Sequence, residues 1–276
     1  MNILEIDPKF QELNRRTYVF HSKGFSMEED FFDFAKKRTE DIGWDYLPIF
    51  WTHWNLAHDY ARTGREELQA EVRKRTIPSH KTFTICQYDG GPQVDIGDVV
   101  LFNGAKRSLH DGIIIPMLVN PHPKPDVLPE KKYLASFVGY YRTDDIRVRM
   151  HDLLKDRKDT VLVNAKKDRD LFVKAILESY ITLCPRGSAI GSFRFYESMQ
   201  LGTVPVAIGD VDPRPFRKWI DWDSCSFYLK TVEELGDFLD SLDKDHLLEM
   251  GKTAAKVWEK NLYNQNWCNY VVRALP

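Results

Sequence analysis

ITLCPRGSAIGSFRFYESMQLGTVPVAIGD, residues 181–210, reads as a strand, a glycine-punctuated turn, a helix and a second strand. Two apolar strands joined through a helix belong in one parallel sheet, and strands this hydrophobic are buried on both faces. In open sheets of this kind, ligands bind beyond the carboxyl ends of the strands, where loops lead into helix N-termini. Residues 185–192, PRGSAIGS, occupy that place. Gly187 and Gly191 allow a ligand close to the backbone, Ser192 stands in the N-cap position, and the helix dipole directs partial positive charge at the turn. Arg186 and Arg194 add planar cations suited to phosphate oxygens. Glu197 follows Arg194 by three residues, where a carboxylate can accept the hydroxyls of a ribose, and the next strand ends in Gly209 and Asp210. The bland alternative is a surface Arg194–Glu197 pair worth a few tenths of a kcal/mol or so, with glycines serving tight turns. Neither a P-loop nor a G-x-G-x-x-G fingerprint is present, which weighs against a dehydrogenase-like reading.

The same alternation extends outward. Downstream of residue 132, LASFVG (134–139), TVLV (160–163), ITLC and TVPVAI read as strands; 145–156, 168–179 and 192–201 read as helices, the last ended by Gly202. Two further helices are expected at 231–242 and about 246–263. Upstream, strands are expected at 17–22 (TYVFHS), 46–51 (YLPIFW), 82–88 and 98–102, with a helix over 28–44 and an amphipathic stretch over 64–75. Between the halves lies VNPHPKPDVLPEKK (119–132), whose four prolines cannot continue a helix or central strand. The fold class is therefore α/β, with two Rossmann-like parallel-sheet domains, 1–125 and 126–276, facing a cleft.

With 276 residues and 43% hydrophobic content the chain can bury a substantial core. Lys plus Arg number 39 against 41 acids, so no global charge favours nucleic acid or an anionic membrane. Any polyanion site must be local. Cys86, Cys184, Cys225 and Cys268 lack zinc-ligand spacing and read as buried free thiols. No signal-peptide h-region or membrane-spanning run is present, so a soluble, cytoplasmic protein is expected, in the host cytoplasm if the source is viral.

The order C-P-R-G, S-x-R-F-Y-E, G-T-V-P-V and Asp210 resembles the signature of exostosin-family glycosyltransferases. The resemblance extends to YLPIFWTHW, to YDGGP (88–92), to IIIPMLVNPHPKP followed by YLASFVGYYR, and to PFRKWIDWDSCSFYL, covering roughly residues 17–242. It implies a GT-B-like fold, with the acceptor glycan bound mainly by the N-terminal half and a UDP-sugar by the C-terminal half. The last helix is implied to cross back to the first domain. It also implies inversion by direct displacement at the anomeric carbon. Because the chain begins almost at its first strand, it resembles the compact exostosin-like enzymes of large algal viruses, for which xylose transfer is implied.

Inverting transfer requires a base for the acceptor hydroxyl and positive groups for the departing diphosphate. For the diphosphate, the candidates are Arg186, Gly187, Ser192 and Arg194, joined by Gly139 and Arg142 in the turn after LASFVG, with Asp210 at the next strand end; Glu197 is assigned to the ribose. Asp89 is the first candidate base, in the position of an aspartate in the family's H-D-W segment, with Tyr88 and Gly90 replacing its neighbours. His53 and His21 are alternatives, and each of the three has an ordinary reading as a polar loop residue. Trp51, Trp54, Tyr88, Tyr140 and Tyr141 either stack on sugars or pack the core. Asp210-Val-Asp212 and Asp221-Trp-Asp223 match a metal-binding D-x-D, yet a chain this acidic holds about six acid-x-acid triplets by chance. A metal-independent enzyme is expected, with no cofactor beyond its donor substrate. The competing class is a non-catalytic carbohydrate-binding protein on a degenerate transferase scaffold.

Overall fold

The computed structural model describes residues 1–14, 25–105, 112–119, 121–123, 125, 127–165 and 168–276. The expected strand at 17–22, with His21, lies outside them. In chain order the strands are β1 (Asn2–Ile3), β2 (Asp45–Tyr46), β3 (Thr82–Cys86), β4 (Val100–Asn103), β5 (Ile113–Ile114), β6 (Tyr133–Val138), β7 (Thr160–Val163), β8 (Ser179–Pro185), β9 (Val204–Ile208) and β10 (Phe227–Leu229). The α-helices are α1 (Met27–Lys36), α2 (Trp51–Ala57), α3 (Arg65–Arg75), α4 (Asp145–Leu154), α5 (Arg169–Leu177), α6 (Phe193–Gln200), α7 (Leu235–Asp240), α8 (Lys244–Val257) and α9 (Asn266–Ala274). They form two units: Met1–Leu118 with Asn264–Pro276, and Val119–Tyr263. The division falls at Leu118, at the start of the proline-rich junction and seven residues before the expected 125, and α9 belongs to the first unit.

The first unit holds a parallel sheet in the order β1-β2-β3-β4-β5. Every residue of its central strand β3 is buried, as a strand covered on both faces requires. Helix α1 starts at a reciprocal cap: Ser26 Oγ accepts from the Glu29 N–H, and Glu29 Oε2 accepts from the Ser26 N–H at 2.8 Å. It ends at Lys36, well short of the expected 44. One sheet face packs Phe31, Tyr46, Phe83 and Trp267, with ring centroids 5.0 to 6.0 Å from Phe31. Truncating Phe31, fully buried, costs on the order of 3–5 kcal/mol. The other face packs Leu47, Ile49, Trp51, Leu68 and Val72.

YLPIFW does not form the expected long strand. Pairing stops at Tyr46, two residues before Pro48, which has no N–H for a ladder, and Trp51 already begins α2. Strands β1, β5 and β10, of two or three residues each, and the separate helix α9 had no sequence expectation of their own.

The second unit is again wholly parallel, in the order β10-β9-β8-β6-β7. The chain leaves β6 for β7 on one side, then returns to place β8 on the other. Its core is Leu134, Phe137, Met150, Ile181, Leu183, Val204, Val206 and Ile208 with neighbours from α7 and α8. Pro205 is tolerated in the buried strand β9 because β10 begins opposite Val206, leaving Pro205 outside that ladder. Helix α6 ends as expected at Gly202: with φ +75° there, the Gly202 N–H reaches Met199 O and the Thr203 N–H reaches Ser198 O, a Schellman pair. The α/β class and the two parallel sheets of the GT-B-like expectation are present. All four cysteines are free and buried. Among the described residues, no helix is long and apolar enough to cross a membrane.

Helix α9 is fastened to α1 through Asp30, whose Oδ2 accepts from Trp267 Nε1 at 2.9 Å and whose carbonyl accepts from Gln265 Nε2 at 3.0 Å. Burial pushes the Asp30 carboxyl up from 3.8 to about 6, against the lowering effect of those donors. A carboxyl with a raised folded-state pKa binds its proton more tightly in the fold. Its stabilising contribution is complete below the unfolded value and is lost as pH rises through about 6. Asp30→Asn removes that pH-dependent component and raises stability above pH 7 by about 1–3 kcal/mol. Urea unfolding followed by tryptophan fluorescence between pH 4 and 8 measures both effects.

Candidate functional site

The strand order reverses between β6 and β8, and the carboxyl ends of strands at such a reversal are the usual ligand position in this kind of sheet. Gly139 follows β6 there, Arg186 and Gly187 follow β8, and the N-terminus of α6 faces the same edge. The central group is Arg194. Its side chain is buried, its Nη2 donates to the Val138 carbonyl at 2.5 Å, and its guanidinium lies over the Phe137 ring at 4.1 Å and Phe172 at 5.5 Å. Its Nε and Nη1 have no hydrogen-bond partner among the described residues. Burial pushes its pKa down, so the fold holds a cation that lacks matching acceptors.

A second guanidinium stands beside it. Arg147, on α4, lies 5.7 Å from the same Phe137 ring and donates to the carbonyls of Arg186 and Tyr140 at 3.0 Å each. Burial, and then the charge of Arg194, bring its pKa down to about 10. Two glycines leave room for these two cations. A Cβ on Gly139 would come within 2.5 Å of Arg194 Nη2, and one on Gly187 within 2.8 Å of Arg147 Nη2.

The other expected donor-site residues are placed differently. Arg186 pairs with Asp210 and lies 3.6 Å from Asp144, so the Asp210 carboxylate is engaged by an arginine. Arg142 is exposed on the short 3-10 turn Tyr141–Thr143. Ser192 is the N-cap of α6, but its side chain makes no cap hydrogen bond. Glu197 does not pair with Arg194. Its Oε1 lies 3.0 Å from Nε2 of His122, and the His122 backbone N–H donates to Gln200 Oε1 at 2.8 Å.

Arg147 and His122 were not among the sequence candidates. Arg147 reads there as one more charge on an amphipathic helix, and His122 as part of a proline-rich linker. The only signal for His122 was its place between Pro121 and Pro123, which restrict the backbone around it.

In the first unit, Asp89 stands half-buried in the turn after β3, where the Gly91 N–H closes onto Tyr88 O. His53 is not on a loop. It lies fully buried in α2, with Nδ1 accepting the Asn14 N–H at 2.8 Å and Nε2 at 2.9 Å from Glu29 Oε2. Both ring nitrogens are committed, which removes it as a base in this arrangement. Trp51 and Trp54 are buried in the core, Trp51 donating to Thr84 Oγ1 at 2.8 Å, so packing is their role. Tyr141 packs its ring on Phe137 at 5.6 Å. The Asp212 and Asp223 carboxylates of the two D-x-D triplets are held by one residue, Arg214, each at 2.8 Å.

The sequence profile of the exostosin GT47 domain matches residues 71–241, more than half of the chain and including β3, the junction and the whole of β6 to β10. An exostosin-1 homolog of Caenorhabditis elegans is 33% identical over 101 residues, which are 36% of this chain and 26% of that protein. Exostosin-1 of Drosophila melanogaster is 27% identical over 99 residues, 35% of this chain and 13% of that protein. The matched regions thus span about a quarter or less of these relatives' length. Among solved structures, TarM is similar at 9% identity and a TM-score of 0.43, over 70% of this chain and 54% of TarM. Acinetobacter baumannii MurG is similar at 12% identity and a TM-score of 0.39, over 90% and 77%. On the strength of the domain match, this chain belongs to the exostosin GT47 family of glycosyltransferases.

Proposed function

We propose that the chain transfers a sugar from a UDP-sugar to a glycan hydroxyl, with inversion by direct displacement, and that its donor is UDP-xylose. The observation that carries the donor site is the buried Arg194 guanidinium, with two nitrogens lacking acceptors at the carboxyl edge of β6 and β8. Holding an unmatched cation away from water costs several kcal/mol, and an anion seated against it offsets that cost. A diphosphate supplies the acceptors. It is the leaving group in this chemistry, so positive charge aimed at it acts most strongly as the glycosidic bond breaks. Arg147 adds positive potential from beneath Gly187, and the α6 N-terminus adds its dipole. Arg142, exposed on its turn, is free to reach an outer phosphate oxygen. Arg186 is the weaker ligand, because a phosphate must compete with Asp210 for it. Glu197 receives the ribose and Asp89 takes the proton from the acceptor. The arginines take the place of a divalent cation.

Arg194→Ala lowers UDP affinity at least tenfold, the loss expected for a charge-assisted contact, and Gly139→Ala lowers it similarly by displacing the same guanidinium. Calorimetric titration with UDP checks both, and unchanged affinity in either moves the diphosphate elsewhere. Asp89→Asn leaves UDP affinity intact while reducing transfer by about 10²-fold or more, the usual contribution of a positioned base. Assaying xylose transfer to an oligosaccharide alongside UDP titration separates the two effects. Transfer persists in excess EDTA, and activity restored only by manganese overturns the assignment of charge neutralisation to arginine. Sugar and UDP binding with no transfer to any acceptor marks a binding protein instead.

A further inference from the structure

We propose that His122 is a positioning residue that holds the Glu197 carboxylate in place for the ribose of the donor nucleotide, an inference that rests on the donor reading above. Arg194 and Glu197 stand three residues apart on α6, a spacing at which opposite charges ordinarily meet. Among the described residues they form no ion pair. Glu197 instead turns to His122, with Nε2 and Oε1 at 3.0 Å. Facing a carboxylate oxygen, an acceptor, Nε2 is assigned the hydrogen and donates it. Oε1 is thereby occupied, and Oε2 is the oxygen left for a ligand hydroxyl.

The imidazole is itself immobilised. Its backbone N–H donates to Gln200 Oε1 at 2.8 Å, so residue 122 is bonded to α6 at two points one helical turn apart. Pro121 and Pro123 restrict the chain on either side, and the ring faces Phe172 at 6.2 Å, the same ring that lies under Arg194. The imidazole is only 3% exposed, against 14% for the Glu197 side chain. It therefore acts through Glu197, which has the greater access to a ligand. Such a fixed donor removes the rotamer freedom that a glutamate otherwise gives up on binding, which is preorganisation of the kind that raises affinity without a new contact.

The test is calorimetry on the full chain with UDP and with 2′,3′-dideoxy-UDP. His122→Ala weakens UDP binding about tenfold but changes dideoxy-UDP binding by less than about twofold, since the analogue lacks the hydroxyls that Glu197 receives. His122→Gln, which keeps an N–H donor, recovers most of the loss. Adding His122→Ala to Glu197→Gln costs nothing further, because the group to be positioned is already altered. His122→Asn, too short to reach Glu197, serves where the alanine variant does not fold. Equal weakening of both nucleotides, or of neither, overturns the positioning role while leaving the donor site standing. A wild-type chain that binds neither UDP nor GDP overturns the donor reading and this inference with it.

Discussion

The arrangement at the edge of the second sheet turns on one contact: the Arg194 guanidinium over the Phe137 ring, bonded to the carbonyl that ends β6. A buried cation needs an aromatic face and a carbonyl to be held at all, and it needs a glycine at 139 because a Cβ there would collide with it. Burial, and then the charge of Arg194, bring down the pKa of Arg147 beside it, and the carboxyl edge of β6 and β8 carries two cations on one ring. That edge is where the strand order reverses, so topology supplies the usual ligand position and the arginines supply its charge.

Among the described residues, no carboxylate forms an ion pair with Arg194, although the charge of Glu197 is felt there. Asp210 goes to Arg186, Asp212 and Asp223 to Arg214, and Glu197 to His122. Each is engaged by a partner other than Arg194. The first unit uses its carboxylates for a different purpose. Glu28 Oε1 accepts from the Thr52 N–H, the Thr52 hydroxyl and the Gln87 N–H, while Glu29 holds His53, so α1, α2 and the end of β3 are joined by buried hydrogen bonds. Two consecutive glutamates at a helix start are spent on architecture, whereas Asp89, half-buried, is more accessible than either.

Apolar period and punctuation carried most of the fold into view. ITLC, TVPVAI and LASFVG are strands because consecutive β-branched and apolar residues suit a sheet buried on both sides, TVLV is the half-buried edge strand beside them, and Gly202 ends α6 because a left-handed residue completes that cap. Short edge pieces such as β1, β5 and β10 were not legible, since two or three residues have no period to read. YLPIFW misled for a related reason: its apolar run suits a strand, but tertiary packing turns Trp51 into the first residue of a helix once Pro48 has closed the ladder.

For the site, local order named which residues gather and long-range contact named their partners. Arg194, Gly139 and Gly187 follow from strand-turn-helix spacing, because the carboxyl edge of a parallel sheet is a local property of each crossover. The pairing of Glu197 with His122, 75 residues earlier, is not, and neither is the burial of His53 behind Asn14 and Glu29. A side chain's identity is written in the chain, whereas its hydrogen-bond partner depends on which segments the fold brings within 3 Å. That is why Arg194 could be singled out from residues 181–210, and the histidine that bonds its neighbouring carboxylate only from the folded molecule.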